Sequence, residues 1–166
     1  KEAQELGYAE ADPSFDVDAI DTAHKISILA SLAYGCAPAI DKVYVEGIRR
    51  ITLRDMKFAD ELGYTIKLLG IAVQTESGIQ QRVHPCMVGK TSMLGTVQGV
   101  YNAVLVEGNS VGRIFLEGRG AGANPTGSSV VADIMDIARG VNYKPFSLPV
   151  GRLQMNNFTG MESLKS

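Results

Sequence analysis

Asp21 and Lys25 stand four residues apart in "DTAHK", a spacing that on a helix projects both side chains from one face about one turn apart. On spacing alone they form an ordinary solvated ion pair, worth a few tenths of a kcal/mol. Their place just after an acidic stretch opens a second reading. A lysine beside carboxylates in a partly closed site can hold or release a proton, while an aspartate fixes it and receives a hydroxyl hydrogen bond. Upstream, Glu10, Asp12 and Asp16 suit an amine or a metal ion, or serve as turn and helix-terminus residues. Nothing in their spacing is specific to a metal. His24 points about 100° away from Lys25 on an ideal helix, which makes it a neighbour rather than a catalyst. His84, next to Pro85, reads as a packed strand histidine.

A second cluster is built from glycine. In "EGRGAGANPTGSS" (117–129), Gly118, Gly120 and Ala123 fit the G-x-G-x-x-G/A pattern between an expected strand and an expected helix. A dinucleotide-binding unit needs a further parallel strand and an acidic residue about 20 positions on. The segment after Gly140 offers "VNYKPFSLPV", with two prolines and no Asp or Glu, so the full unit is not present. A tight strand-to-helix turn explains glycines through positive φ and the missing Cβ, yet does not require four of them. A backbone approached closely by a ligand does.

The elements that must position these residues follow from periodicity. "AEADPSFDVDAID" places five carboxylates, Glu10, Asp12, Asp16, Asp18 and Asp21, around Pro13, as a loop that breaks one helix and feeds another. From about Asp18 to Tyr34, Ile20, Ala23, Ile26, Ile28, Leu29, Leu32 and Ala33 recur at helical spacing, with Gly35 and Pro38 as the stop. "KVYVEGIRRIT" (42–52) reads as a strand and "LRDMKFADELGY" (53–64) as a short helix ended by Gly63. Four strands are expected at 65–77, 79–88, 99–108 and 111–118, paired as two antiparallel hairpins through Ser77-Gly78 and Gly108-Asn109. A closing helix starts from Asn124 as N-cap and Pro125, carries Val130, Val131, Ile134 and Ile137 on its apolar face, and ends at Gly140. Residues 141–166 read as a linker or wrapped tail.

Hairpins with helices before, within and after them predict an α+β fold, a mainly antiparallel sheet with helices packed on one face. Apolar residues on both faces, as in "IKLLGIAV", predict a subunit interface on the other. In this chain of 166 residues with a formal net charge of −2, charge gives no reason to expect a nucleic-acid partner. The longest apolar runs fall short of the roughly 20 residues that a bilayer requires. Cys36 and Cys86, fifty positions apart, suggest neither a zinc site nor a disulfide and read as small hydrophobes in a reducing cytoplasm. The chain opens at Lys1, and "KEAQELGY" reads as the last turns of a helix ending at Gly7, as expected of a piece of a longer protein.

Four ordered blocks, "AQELGYAEADPSFDVDAIDTAHKISILASLAYG", "VEGIRRIT", "ADELGYTIKLLGIA" and "LEGRGAGANPTGSSVVADIMDIAR", closely resemble the catalytic domain of the homoserine dehydrogenases over about residues 1–140. The resemblance implies a cytoplasmic oxidoreductase that interconverts L-homoserine and L-aspartate 4-semialdehyde with NAD(P)H and assembles as a homodimer or larger. It implies that Lys25 is the proton donor and acceptor at the substrate oxygen, with Asp21 contacting that oxygen or orienting the lysine. It also implies that Glu10 binds the substrate amino acid, with Asp16 a further carboxylate near its amine, and that Gly122 lies at the cofactor. The family pattern has glycine where this chain carries Ala19. On this reading, 1–140 is the catalytic and dimerisation domain, incomplete at its start, and 141–166 leads toward a possible regulatory domain. The Rossmann nucleotide-binding domain and the family's sodium site are expected upstream of Lys1, and no metal site is expected within the chain. The alternative reading is a stand-alone amino-acid-binding or dimerisation module in which Asp21 and Lys25 are a plain helix pair.

Overall fold

The computed structural model describes residues 12–141, 146, 148–154 and 157–160. In chain order the elements are α1 (Ser14–Val17), α2 (Ile20–Tyr34), a 3-10 turn (Ile40–Lys42), β1 (Tyr44–Val45), α3 (Leu53–Glu61), β2 (Tyr64–Thr75), β3 (Gly78–Gly89), β4 (Tyr101–Gly108), β5 (Gly112–Arg119), α4 (Ala123–Ala138) and a second 3-10 turn (Val150–Arg152). The expected α+β class is what the chain adopts. Its strands form a three-stranded sheet in the order β1-β3-β2 and a separate β4-β5 hairpin. The helix expected to end at Gly7 lies outside the described residues.

The chain divides into two compact units. One contains Pro13–Thr52 and Lys67–Cys86, and its centre is α2. This helix buries Ala23, Ile26, Ser27, Ala30 and Ser31, a stripe of mostly small side chains that lets the backbone approach the sheet closely. Gly70 of β2 completes the fit: a Cβ there would stand 3.1 Å from the Cβ of Ile26. Ala19, Ala23, Ile26 and Val83 make the core, with Val43, Leu68 and Ala72 against it. Tyr34 donates to the carbonyl of Ala72 at 3.2 Å and pins the far end of α2. Gly35, in the left-handed region at φ 64°, ends the helix. Of the apolar residues that recur along α2, Ile20, Ile28, Leu29 and Leu32 are exposed; close packing selected the narrower residues.

The segment 42–52 departs from expectation. Only Tyr44 and Val45 are strand, paired in parallel with Arg82 and Val83. After them the chain turns at Gly47 to meet the end of α1, where a Cβ on Gly47 would come within 2.4 Å of the Val17 carbonyl oxygen. Farther on, Gln154 bridges Cys36 and Phe158 bridges Ile79, both in parallel.

The other unit contains Leu53–Ile66 and the chain from Met87 through α4. Here α3 is followed by Gly63 at φ 82°, the expected stop. The β4-β5 hairpin is antiparallel in register from Tyr101 opposite Arg119 to Gly108 opposite Gly112, with Glu107 and Arg113 directly across from each other and bonded at 2.7 Å. Helix α4 begins two residues earlier than expected, with Gly122 rather than Asn124 at the N-cap. Pro125 is accommodated in the first turn because the amides there have no intrahelical acceptor to lose. Val130, Val131, Ile134 and Ile137 are each more than half exposed. Among the described residues, no helix is long and apolar enough to cross a membrane.

Candidate active site

Helix α2 begins from an unusual residue. Ala19, its N-cap, has φ 64° and ψ 19° and supplies no side-chain cap. This left-handed turn sends the chain from α1 into α2, and its conformation explains why a glycine suits the position. Asp21 follows in the first turn, where a carboxylate is favoured by the helix dipole. One turn later the Lys25 ammonium donates to Asp21 Oδ2 at 2.5 Å. The lysine side chain is 59% exposed and the aspartate 35%, so the contact contributes little to stability. It leaves a primary ammonium in a defined place with donors to spare.

His24 turns away from the pair and stacks on Phe15, with ring centroids 6.0 Å apart and planes 24° from parallel, as expected of a neighbour. Asp16 lies on α1 in the same unit and is exposed. Among the described residues, no hydrogen bond or ion pair joins it to Asp21 or Lys25. Glu10 lies outside the described residues. Gly122 belongs to the other unit, at φ 117° and ψ 151°, a conformation open to glycine. It precedes a helix of 16 residues that has no side-chain cap, so backbone N–H groups at this end are available to an incoming acceptor. Gly120 has a different reason to be glycine: a Cβ would stand 1.6 Å from Nδ2 of Asn102. Gly118 and Gly127 have nothing within 4 Å of that position.

One constellation had escaped the sequence reading. The Arg49 guanidinium grips Asp18 with two nitrogens, Nε to Oδ1 and Nη2 to Oδ2, the latter at 2.8 Å. It also donates to Ser14 Oγ at 3.0 Å. A shallow hollow of about 370 Å³ opens beside this contact, with Tyr44, Glu46 and Arg50 also in its wall; it does not include Asp21 or Lys25. The partners are 31 and 35 positions apart, so no local periodicity could announce them. The only hint was Gly47 interrupting a strand-like pattern.

Neither cysteine offers an activated nucleophile. Cys36 is fully buried. Cys86 lies 3.3 Å from Nδ1 of His84, yet burial pushes its thiol up, against the opposing charge of Arg82. His84 also contacts the Pro85 carbonyl at 3.0 Å and is partly buried.

A family model described as homoserine dehydrogenase matches residues 1–135. The homoserine dehydrogenase of Pseudomonas aeruginosa is 53% identical over 144 residues, 87% of this chain and 33% of that protein. Among solved structures, a homoserine dehydrogenase from Thiobacillus denitrificans matches with a TM-score of 0.87 and 44% identity, covering 97% of this chain and 39% of its own. A hyperthermophilic archaeal homoserine dehydrogenase in complex with NADPH matches with a TM-score of 0.64 and 30% identity, covering 84% of this chain and 39% of its own. The chain therefore spans about a third of the length of the curated relatives it matches.

Proposed function

The chain belongs to the homoserine dehydrogenase family, and from that premise we propose that it is the substrate-binding and catalytic part of a cytoplasmic enzyme that interconverts L-homoserine and L-aspartate 4-semialdehyde. The observation that carries this reading is the Asp21–Lys25 contact, an ammonium held by a carboxylate at the start of α2. The match over residues 1–135 favours the enzyme over a stand-alone binding or dimerisation module.

Reducing an aldehyde to an alcohol requires a hydride at carbon and a proton at oxygen. Lys25, as the ammonium, stabilises negative charge developing on the oxygen and then gives it a proton; as the amine, it takes that proton back in the oxidative direction. Asp21 restrains the lysine and accepts a hydrogen bond from the substrate hydroxyl. Glu10 and Asp16 bind the α-ammonium of the amino acid, which a carboxylate recognises by charge and hydrogen bonding. NAD(P)H, when bound, supplies the hydride. The glycine-only backbone at Gly122 and the uncapped start of α4 suit close approach by such a cofactor. We place its nucleotide-binding domain and the sodium site in the portion of the enzyme upstream of Lys1.

The test is an assay of the full-length enzyme in both directions, following the reduced nicotinamide with homoserine and with the semialdehyde. Homoserine-dependent turnover that residues 1–166 alone do not show is the expected result. Absence of turnover with homoserine in the full-length enzyme, or ordinary turnover by residues 1–166 alone, would refute the reading.

A further inference from the structure

The segment that carries Asp16 has little to hold it in place by itself. Helix α1 is four residues long, has no side-chain cap and buries none of its residues, far below the length at which a helix is stable unaided. Phe15 stacks on His24 of α2, and further anchors come from residues 47–49. Ile48 donates its backbone N–H to the Val17 carbonyl at 2.9 Å. Gly47 permits the approach, since a Cβ there would also come within 2.8 Å of the Asp18 Cα. Arg49 then reaches both ends of the short helix, holding Ser14 at its start and Asp18 just past its end. Asp16 lies between those two points. Asp18 is followed directly by the left-handed Ala19 and by α2, which bears Asp21 and Lys25.

We propose that Arg49 is a positioning residue for substrate recognition: its fork on Asp18 and Ser14 sets the Asp16 carboxylate relative to α2, where the substrate's ammonium group must meet it. The planar guanidinium suits this role because it makes parallel bonds to one carboxylate and retains a donor for the hydroxyl. An exposed ion pair of this kind adds little to global stability. Its effect is local, on the geometry of a segment with no core of its own. The inference rests on the reading that Asp16 binds the substrate amine.

The test uses the full-length enzyme with homoserine and, in parallel, a 4-hydroxy acid lacking the α-amino group. Arg49→Met should raise KM for homoserine roughly tenfold or more, the scale of a lost charge-assisted hydrogen bond. Its kcat and the KM for the nicotinamide cofactor should stay within about threefold of the parent. KM for the substrate without the amine should be unmoved, a selectivity that partial unfolding would not produce. Arg49→Lys should recover part of the effect. Asp18→Asn should resemble Arg49→Met, and the double variant should be no worse than the poorer single one, because both break the same Arg49–Asp18 contact. An unchanged KM for homoserine in Arg49→Met, equal losses with both substrates, or multiplicative effects in the double variant would overturn the proposal. A parent enzyme with no homoserine turnover would instead refute the functional reading beneath it.

Discussion

Ala19 has a left-handed backbone and no exposure at all. The left-handed region costs an alanine about 1–2 kcal/mol. Replacing it with glycine removes that cost but also loses a buried methyl group, about 0.8 kcal/mol, and adds unfolded-state entropy, about 0.4–1 kcal/mol. These terms nearly cancel, so Ala19→Gly should change stability by no more than about 1 kcal/mol, whereas a β-branched Ala19→Val, which adds backbone strain and overpacking, should cost more than about 2 kcal/mol. Urea unfolding of the two variants checks this; a Val variant as stable as the parent would contradict the left-handed turn. At Cys86 the raised thiol makes a pH prediction. The native state holds this proton more tightly than the unfolded chain, so the associated stability is present below the ordinary thiol value of 9.0 and is lost as pH rises through the native value. Labelling of native Cys86 by a thiol reagent should therefore rise with pH along a curve displaced upward from that of the urea-unfolded chain, and coincident curves would contradict the burial. The Asp21–Lys25 pair was legible because its geometry is local, four residues on one helix. The Arg49–Asp18 contact was not, because it depends on where a turn at Gly47 delivers a distant side chain.

Elements with clear punctuation were read within a residue or two. Helix α2 ends at Gly35 and α3 stops before Gly63, both glycines lying in the left-handed region that few other residues adopt, and the β4-β5 hairpin closes near Gly108. The strand expected over 42–52 shrank to Tyr44–Val45 because β-branched composition reports local preference, while the approach of Gly47 to Val17 is a tertiary demand. Helical spacing alone does not mark the buried face of α2, for a related reason: several of its larger apolar residues are exposed, and the sheet accepts mostly smaller ones. The glycine-rich turn separates into positions with different reasons. Gly120→Ala must displace Asn102 and should cost about 1–3 kcal/mol, while Gly118→Ala, with open space around it, should stay within about 0.5 kcal/mol of the parent. Thermal or urea unfolding distinguishes them, and equal effects at both positions would contradict the packing of Asn102 against Gly120.

For the whole molecule, the notable quantity is apolar surface left open. Val130, Val131, Ile134 and Ile137 on α4, and Leu116 and Val111 on the hairpin, are each more than half exposed; β2 shows no in-out alternation of burial. Exposed apolar surface of this kind calls for cover by further protein. On the proposed reading, the full-length enzyme is a homodimer or larger, and light scattering on a sizing column should give at least twice the protomer mass; a monomer at micromolar concentration would contradict it. The family was legible because four ordered blocks carry it, and those blocks include the lysine and the carboxylate to which the proposed chemistry is assigned. On the proposed reading, that chemistry depends most on the proton carried by Lys25. The most direct measurement is the turnover of the full-length enzyme with Lys25→Ala under saturating homoserine and cofactor. We predict a fall in kcat of about 10²–10⁴-fold with cofactor binding and the folded state preserved; a kcat within a few-fold of the parent would contradict the assignment of Lys25 as the group that moves the proton.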